Sequence, residues 1–174
     1  MDIAAIFCST VKWVVFLDCC LLWLHKICIF CTGEIVCEYA GEVISQTEAK
    51  LRAQMFPTDT FLFIIHEASA AFQRTTFIDA RLKGNHARFI NHSSEPNLVM
   101  LPVRVDIIVP HLICFAKKDI QAGEELTVDY GQGEKNSALS STRCLCSSQN
   151  CRNFLPMNAN FDVVFRWEEK NLWS

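Results

Sequence analysis

Apolar and polar positions alternate along Glu34-Ile35-Val36-Cys37-Glu38-Tyr39, which reads as a strand with one side toward a core. Thr60 to Ile65 and Thr75 to Ile78 are rich in β-branched and aromatic residues and predict two more strands. Val103, Val105 and Ile107 alternate with polar or charged neighbours, and Leu112 to Ala116 is a short buried run. Gln121-Ala122-Gly123-Glu124 reads as a turn leading into a strand from Glu125 to Val128, and Lys83-Gly84-Asn85 as another turn. One helix stands out. Ser45-Gln46-Thr47-Glu48 has the Ser-x-x-Glu form of a capping box, so a helix is predicted from about Thr47 to Met55, with Pro57 as its stop. The pattern predicts a mostly β domain with minor α, built from many short strands and long irregular connections.

The first 32 residues do not follow this pattern. They are mostly apolar and are interrupted by Lys12, Asp18 and Lys26, so no run reaches the roughly 20 residues a spanning helix needs. A membrane partner is not expected. Asp2, where a secretory leader carries basic residues, argues against a signal peptide. The expected organisation is an aberrant apolar segment at 1–32, a domain at 33–131, a polar linker at 132–141, a cysteine-bearing segment at 142–157 and a tail at 158–174. Use of residues 3 to 24 as a membrane tether is the third-ranked functional reading.

The chain has 174 residues, enough for one domain, and half of them are apolar, enough for a real core. The net charge of −3 argues against nucleic-acid binding through a basic face but suits a basic peptide partner. Ten cysteines are distributed unevenly: six lie by Cys37, Cys114 sits alone in an apolar run, and Cys144, Cys146 and Cys151 form a tight group. A disulfide scaffold would spread its pairs through the chain. The grouping points to a reducing compartment and one metal cluster.

Two stretches carry candidate chemistry. Arg88-Phe89-Ile90-Asn91-His92-Ser93-Ser94-Glu95-Pro96-Asn97 places polar side chains in a row, and Glu125-Leu126-Thr127-Val128-Asp129-Tyr130-Gly131 ends a strand-like run on a tyrosine. With Glu38-Tyr39-Ala40-Gly41-Glu42-Val43 and Phe77-Ile78-Asp79-Ala80, in this order, they resemble the SET domain of histone-lysine methyltransferases, especially the heterochromatin-type and SET–mariner fusion kinds. The resemblance implies a SET-domain fold of several small sheets with a pseudoknot-like crossing and a short Cys-rich tail. It implies S-adenosylmethionine as cofactor. Asn91, His92, Arg88 and Phe61 would line its pocket, Phe61 standing where relatives often have Tyr. Tyr130 is implied as the catalytic tyrosine and Tyr39 as a second tyrosine of a lysine channel. Val128 stands where a larger aromatic usually limits the number of methyl groups.

The same resemblance identifies Cys144, Cys146 and Cys151, spaced C-x-C-x4-C, with a post-SET segment that binds zinc together with a fourth cysteine. Ser94 occupies that fourth position, so weakened or absent zinc binding and a mobile tail are expected. The implied partners are the histone H3 tail, or another lysine-containing peptide, and chromatin; the implied location is the nucleus and chromosome. Residues 1–32 contain no glycine, whereas the family usually has a glycine turn there. Together with Ser94, this supports an alternative reading: a catalytically impaired SET-like domain that binds a peptide or chromatin partner.

Overall fold

The computed structural model describes residues 29–56, 61–68, 73–105, 108–131, 139–156 and 165–166. The apolar segment up to residue 28, the stop at Pro57, Ile107, most of the linker and most of the terminal tail lie outside them. Among the described residues no helix is long and apolar enough to cross a membrane.

The elements in chain order are β1 (Ile35–Glu38), β2 (Gly41–Ile44), α1 (Gln46–Met55), β3 (Leu62–Ala68), β4 (Gln73–Gly84), a 3-10 turn (His86–Phe89), β5 (Asn91–His92), β6 (Leu98–Val103), β7 (His111–Ala116), β8 (Thr127–Val128), β9 (Leu139–Arg143), β10 (Phe154–Pro156) and β11 (Phe165–Arg166). They form four small sheets, ordered β1-β7-β6, β11-β3-β4-β2, β5-β8 and β10-β9. The mostly β expectation holds.

Pairing in the first sheet sets much of the core. Leu98 faces Ala116 and Met100 faces Cys114 in antiparallel register, and all four are buried. Cys114 is thus the buried small side chain its surroundings predict. The alternation expected at Val103, Val105 and Ile107 falls differently. The strand is Leu98–Val103, Leu98 and Met100 supply its buried face, and Val105 is exposed beyond its end. Ile65, Ile78, Ile120 and Val128 join the same cluster, so several sheets share one core.

The predicted N-cap forms: Ser45 Oγ accepts from the Glu48 N–H at 3.2 Å and starts α1, while the Glu48 carboxylate accepts from Arg52. Arg52 on α1 donates to Glu48 at 2.7 Å, Glu42 at 3.0 Å and Asp79 at 2.8 Å, fastening the helix to β2 and β4. Gly41 has a steric reason: a Cβ there would lie 2.7 Å from the Asp79 carbonyl carbon. The predicted turn at Gly84 is instead the end of a long β4, where Gly84 pairs with Gly41. β9 takes up the end of the stretch read as a linker and pairs with β10.

Candidate functional site

Tyr39, Phe61, Arg88, Asn91, Val128 and Tyr130 line a single cavity of about 290 Å³, with Met100 from the core at its wall. Tyr39 follows β1 and is 4% exposed. Its N–H donates to the Leu112 carbonyl at 2.8 Å, its ring packs edge-on to Phe63 at 4.6 Å, and its hydroxyl donates to the Phe61 carbonyl at 2.8 Å. The Tyr130 hydroxyl donates to the Ile90 carbonyl at 2.8 Å. Burial pushes both phenols above their ordinary value; Tyr130 and Asp79 push Tyr39 further. Both therefore remain protonated at neutral pH. With each proton committed to a carbonyl, their oxygen lone pairs are the available hydrogen-bonding groups.

A crossing of distant segments brings these residues together. β5 and β8 pair in parallel, Asn91 opposite Thr127 and His92 opposite Val128, and the Ser93 N–H donates to the Val128 carbonyl at 2.9 Å. Buried Asn97 pins the crossing. Its Oδ1 accepts from the Thr127 N–H at 2.8 Å, and its Nδ2 donates to the Glu125 carbonyl at 2.7 Å and to Glu124 at 3.0 Å.

His92 lies behind the cavity wall. Its Nδ1 accepts the Tyr130 N–H at 3.1 Å, and its ring centre is 5.3 Å from that of Tyr130. The accepting nitrogen assigns the proton to Nε2, which is buried and has no partner among the described residues. Burial holds the imidazole below its ordinary value, so it is neutral near pH 7. The Arg88 guanidinium sits 4.4 Å over the Phe61 ring and 5.1 Å over Phe89 and donates to the Arg81 carbonyl at 2.9 Å. Its buried Nε has no partner among the described residues. The Asn91 amide donates to Glu125 at 2.7 Å.

The sulfur atoms of Cys144, Cys146 and Cys151 lie within 4.8 Å of one another. Burial pushes the Cys144 thiol up to about 11, helped by its thiol neighbours. Burial acts the same way on Cys146, but hydrogen bonds from the Ser148 hydroxyl and the Ser94 and Ser148 backbone outweigh it and bring that thiol down to about 5. The segment also makes polar contacts with the residues around Ser94 and Asp129. The Gln149 N–H and Asn150 amide donate to Glu95 at 3.1 Å and 2.5 Å, and the Arg152 N–H donates to Ser94 Oγ at 3.2 Å. Arg152 also forms an ion pair with Asp129.

Of the candidate site residues, Tyr39, Phe61, Arg88, Asn91 and Tyr130 thus meet at the cavity, Cys144, Cys146 and Cys151 form a group of their own, and His92 packs against Tyr130. The sequence reading missed the Ile90 and Phe61 carbonyls, which are backbone groups with no side-chain signature. It also missed Asn97 as a hub and the Asp129–Arg152 pair, which no local periodicity announces.

Residues 29–131 match the family model described as the SET domain. Set-23 of Caenorhabditis elegans, named a probable histone-lysine N-methyltransferase, is 42% identical over 132 residues, 73% of this chain and 52% of that protein. The histone-lysine N-methyltransferase SETMAR of Mus musculus is 39% identical over 142 residues, 74% of this chain and 46% of that protein. The crystal structure of the methyltransferase domain of human SETMAR is similar with a TM-score of 0.65 at 37% identity, covering 74% of this chain and 51% of that one. The chain spans about half the length of these relatives.

Proposed function

The chain belongs to the SET-domain family, and on that premise we propose that it transfers a methyl group from S-adenosylmethionine to a lysine of a histone, with the H3 tail the favoured substrate and the nucleus and chromosome its place of action. The observation that carries this reading is the pair of phenols, Tyr39 and Tyr130, lining one cavity with their protons directed to backbone carbonyls. Methyl transfer is an in-line displacement at carbon by a neutral amine. Bound S-adenosylmethionine would supply the activated methyl on a sulfonium. Entering an aromatic cavity, the lysine ammonium loses hydration, which lowers its pKa and favours the neutral amine. Phenol oxygens that cannot turn away accept its N–H bonds and fix its lone pair along one direction. The residues thus contribute alignment and water exclusion, and Tyr130 is assigned the catalytic role with Tyr39 beside it.

The cofactor fits the residues present. The Arg88 Nε donor is buried and, among the described residues, has no partner beside the cavity, which suits a carboxylate, and Asn91 and Phe61 line the same cavity. His92 Nε2 is a second buried donor with no partner among the described residues. The three thiols also suit a zinc ion. Tetrahedral zinc would place its sulfurs about 3.8 Å apart, within a small contraction of the separations here. Ser94, whose backbone hydrogen-bonds Cys146 and whose hydroxyl accepts the Arg152 N–H, would be a poor fourth ligand because a serine hydroxyl stays protonated.

Calorimetry with S-adenosylmethionine, followed by radiolabelled transfer to histone H3, tests the reading. Binding is expected, and Tyr130→Phe is expected to lower transfer about 10²-fold, the order for losing one preorganised polar group. No binding at millimolar cofactor would leave the alternative, a peptide- or chromatin-binding module. For the metal, Ser94→Cys is expected to raise zinc stoichiometry. One tight zinc per unaltered chain would contradict the weakened site.

A further inference from the structure

The contacts of the cysteine-bearing tail converge on the turn that carries Tyr130. The Asp129 carboxylate accepts the Gly131 N–H at 2.9 Å, lies 3.7 Å from His92 Nδ1 and takes the Arg152 guanidinium. It therefore contacts groups on both sides of Tyr130. The Asp129 and Arg152 side chains are only 14% and 23% exposed, so water screens their pairing less than that of a surface ion pair. We infer that Arg152 is a positioning residue for Tyr130: by holding Asp129 it fixes the Asp129–Gly131 turn and so aims the phenol into the cavity.

The need for a cation at this place follows from the neighbours of Asp129. His92 Nδ1 uses its lone pair to accept the Tyr130 N–H. A carboxylate oxygen 3.7 Å from that lone pair is repelled by it unless a third group draws the charge away. Arg152 does so by pairing with the same Asp129 oxygen, and its own backbone is anchored by Ser94 Oγ. The serine standing where a fourth thiolate is expected thus serves as an acceptor for the tail. Glu95 adds the Gln149 and Asn150 contacts one residue further along. This clasp requires no metal. A tail short of one metal ligand can still be docked against the turn, and Arg152 passes the docking on to Tyr130.

The kinetic part of the test rests on the methyl-transfer reading, whereas the exchange part does not. Hydrogen exchange at the Tyr130 and Gly131 amides is measured in the full chain, with and without chelator, for the unaltered protein, Arg152→Met and Arg152→Lys. In Arg152→Met both amides are expected to exchange about 10-fold faster or more. Arg152→Lys is expected to recover part of the protection, and chelator to leave the unaltered protein's amides protected. In methyl transfer, kcat of Arg152→Met is expected to fall about 10-fold with KM for the cofactor within about twofold, the signature of lost alignment rather than lost binding. Unchanged exchange at both amides overturns the inference whatever the activity. Faster exchange with unchanged kcat overturns the positioning role. If Arg152→Met does not fold, Asp129→Asn removes the same pairing while keeping the side-chain shape, and unchanged exchange there overturns the inference equally. A chain that transfers no methyl group loses the function proposed above, and the amides still decide whether Arg152 holds the turn.

Discussion

The walls of the aromatic cavity and the cysteine-bearing tail meet at Asp129, yet different forces hold them. Tyr39, Met100 and Val128 belong to the main core, each no more than 4% exposed, so close packing fixes that part of the cavity wall. The tail from Cys144 to Arg152 contributes no buried apolar side chain. Leu145 is 87% exposed, and the attachments are hydrogen bonds, one ion pair and a group of thiols. Packing energy scales with buried area and does not titrate or depend on a bound metal, whereas polar attachments respond to pH, salt and metal. The cavity is therefore the constant part of the site and the tail its adjustable part.

A pair of leucines gives the largest contrast. Leu112→Ala, at a fully buried core position, is expected to cost about 2–5 kcal/mol, and Leu145→Ala to stay within about 0.5 kcal/mol. Urea unfolding of the two variants measures both, and equal losses would erase the distinction. Tyr39→Phe is next. It removes the hydroxyl bond to the Phe61 carbonyl, which keeps the Ala80 N–H at 3.1 Å, so about 1 kcal/mol of stability is expected to go. Transfer activity is expected to fall much further than that loss explains.

The boundary between the regions makes the third contrast, through His92. Its folded-state pKa lies below the ordinary 6.5 because burial disfavours the imidazolium. Between the two values the unfolded chain binds more protons, so stability is full above about pH 6.5 and is lost as pH falls through the lower folded value. Urea midpoints taken from about pH 7 to about pH 5 are expected to decline, with a flatter slope in His92→Asn. The smallest effect is confined to the tail. After chelator treatment, iodoacetamide at neutral pH is expected to modify Cys146, near 5, before Cys144, near 11, by peptide mass mapping. Equal rates would show that the hydrogen bonds to Cys146 do not hold its thiolate.

The same division governs what the sequence discloses. The N-cap at Ser45 and the buried run of β7 are local patterns with local causes, and they were legible. Tyr39, Phe61, Arg88, Asn91 and Tyr130 were legible as candidates through motif order, and the cavity gathers them. β5 and β8 are two residues each, too short for any periodicity, and β6 was misphased because Pro102 and the polar residues after it obscure the buried pair Leu98 and Met100. The roles of Asn97 and Arg152 depend on partners brought close only by the crossing, a long-range geometry that composition and spacing do not encode.

The crossing also sets a timetable for synthesis. His92 receives its Tyr130 partner from 38 residues downstream, and Asn97 its Thr127 partner from 30. While a ribosome is still extending the chain toward Gly131, the β5 segment has no strand to lie against, and the two phenols cannot share a chamber. Contacts of such sequence separation form slowly because a long loop must first be closed. The β3–β4 and β6–β7 pairs can form as they emerge, but the cavity closes only once Tyr130 has been made.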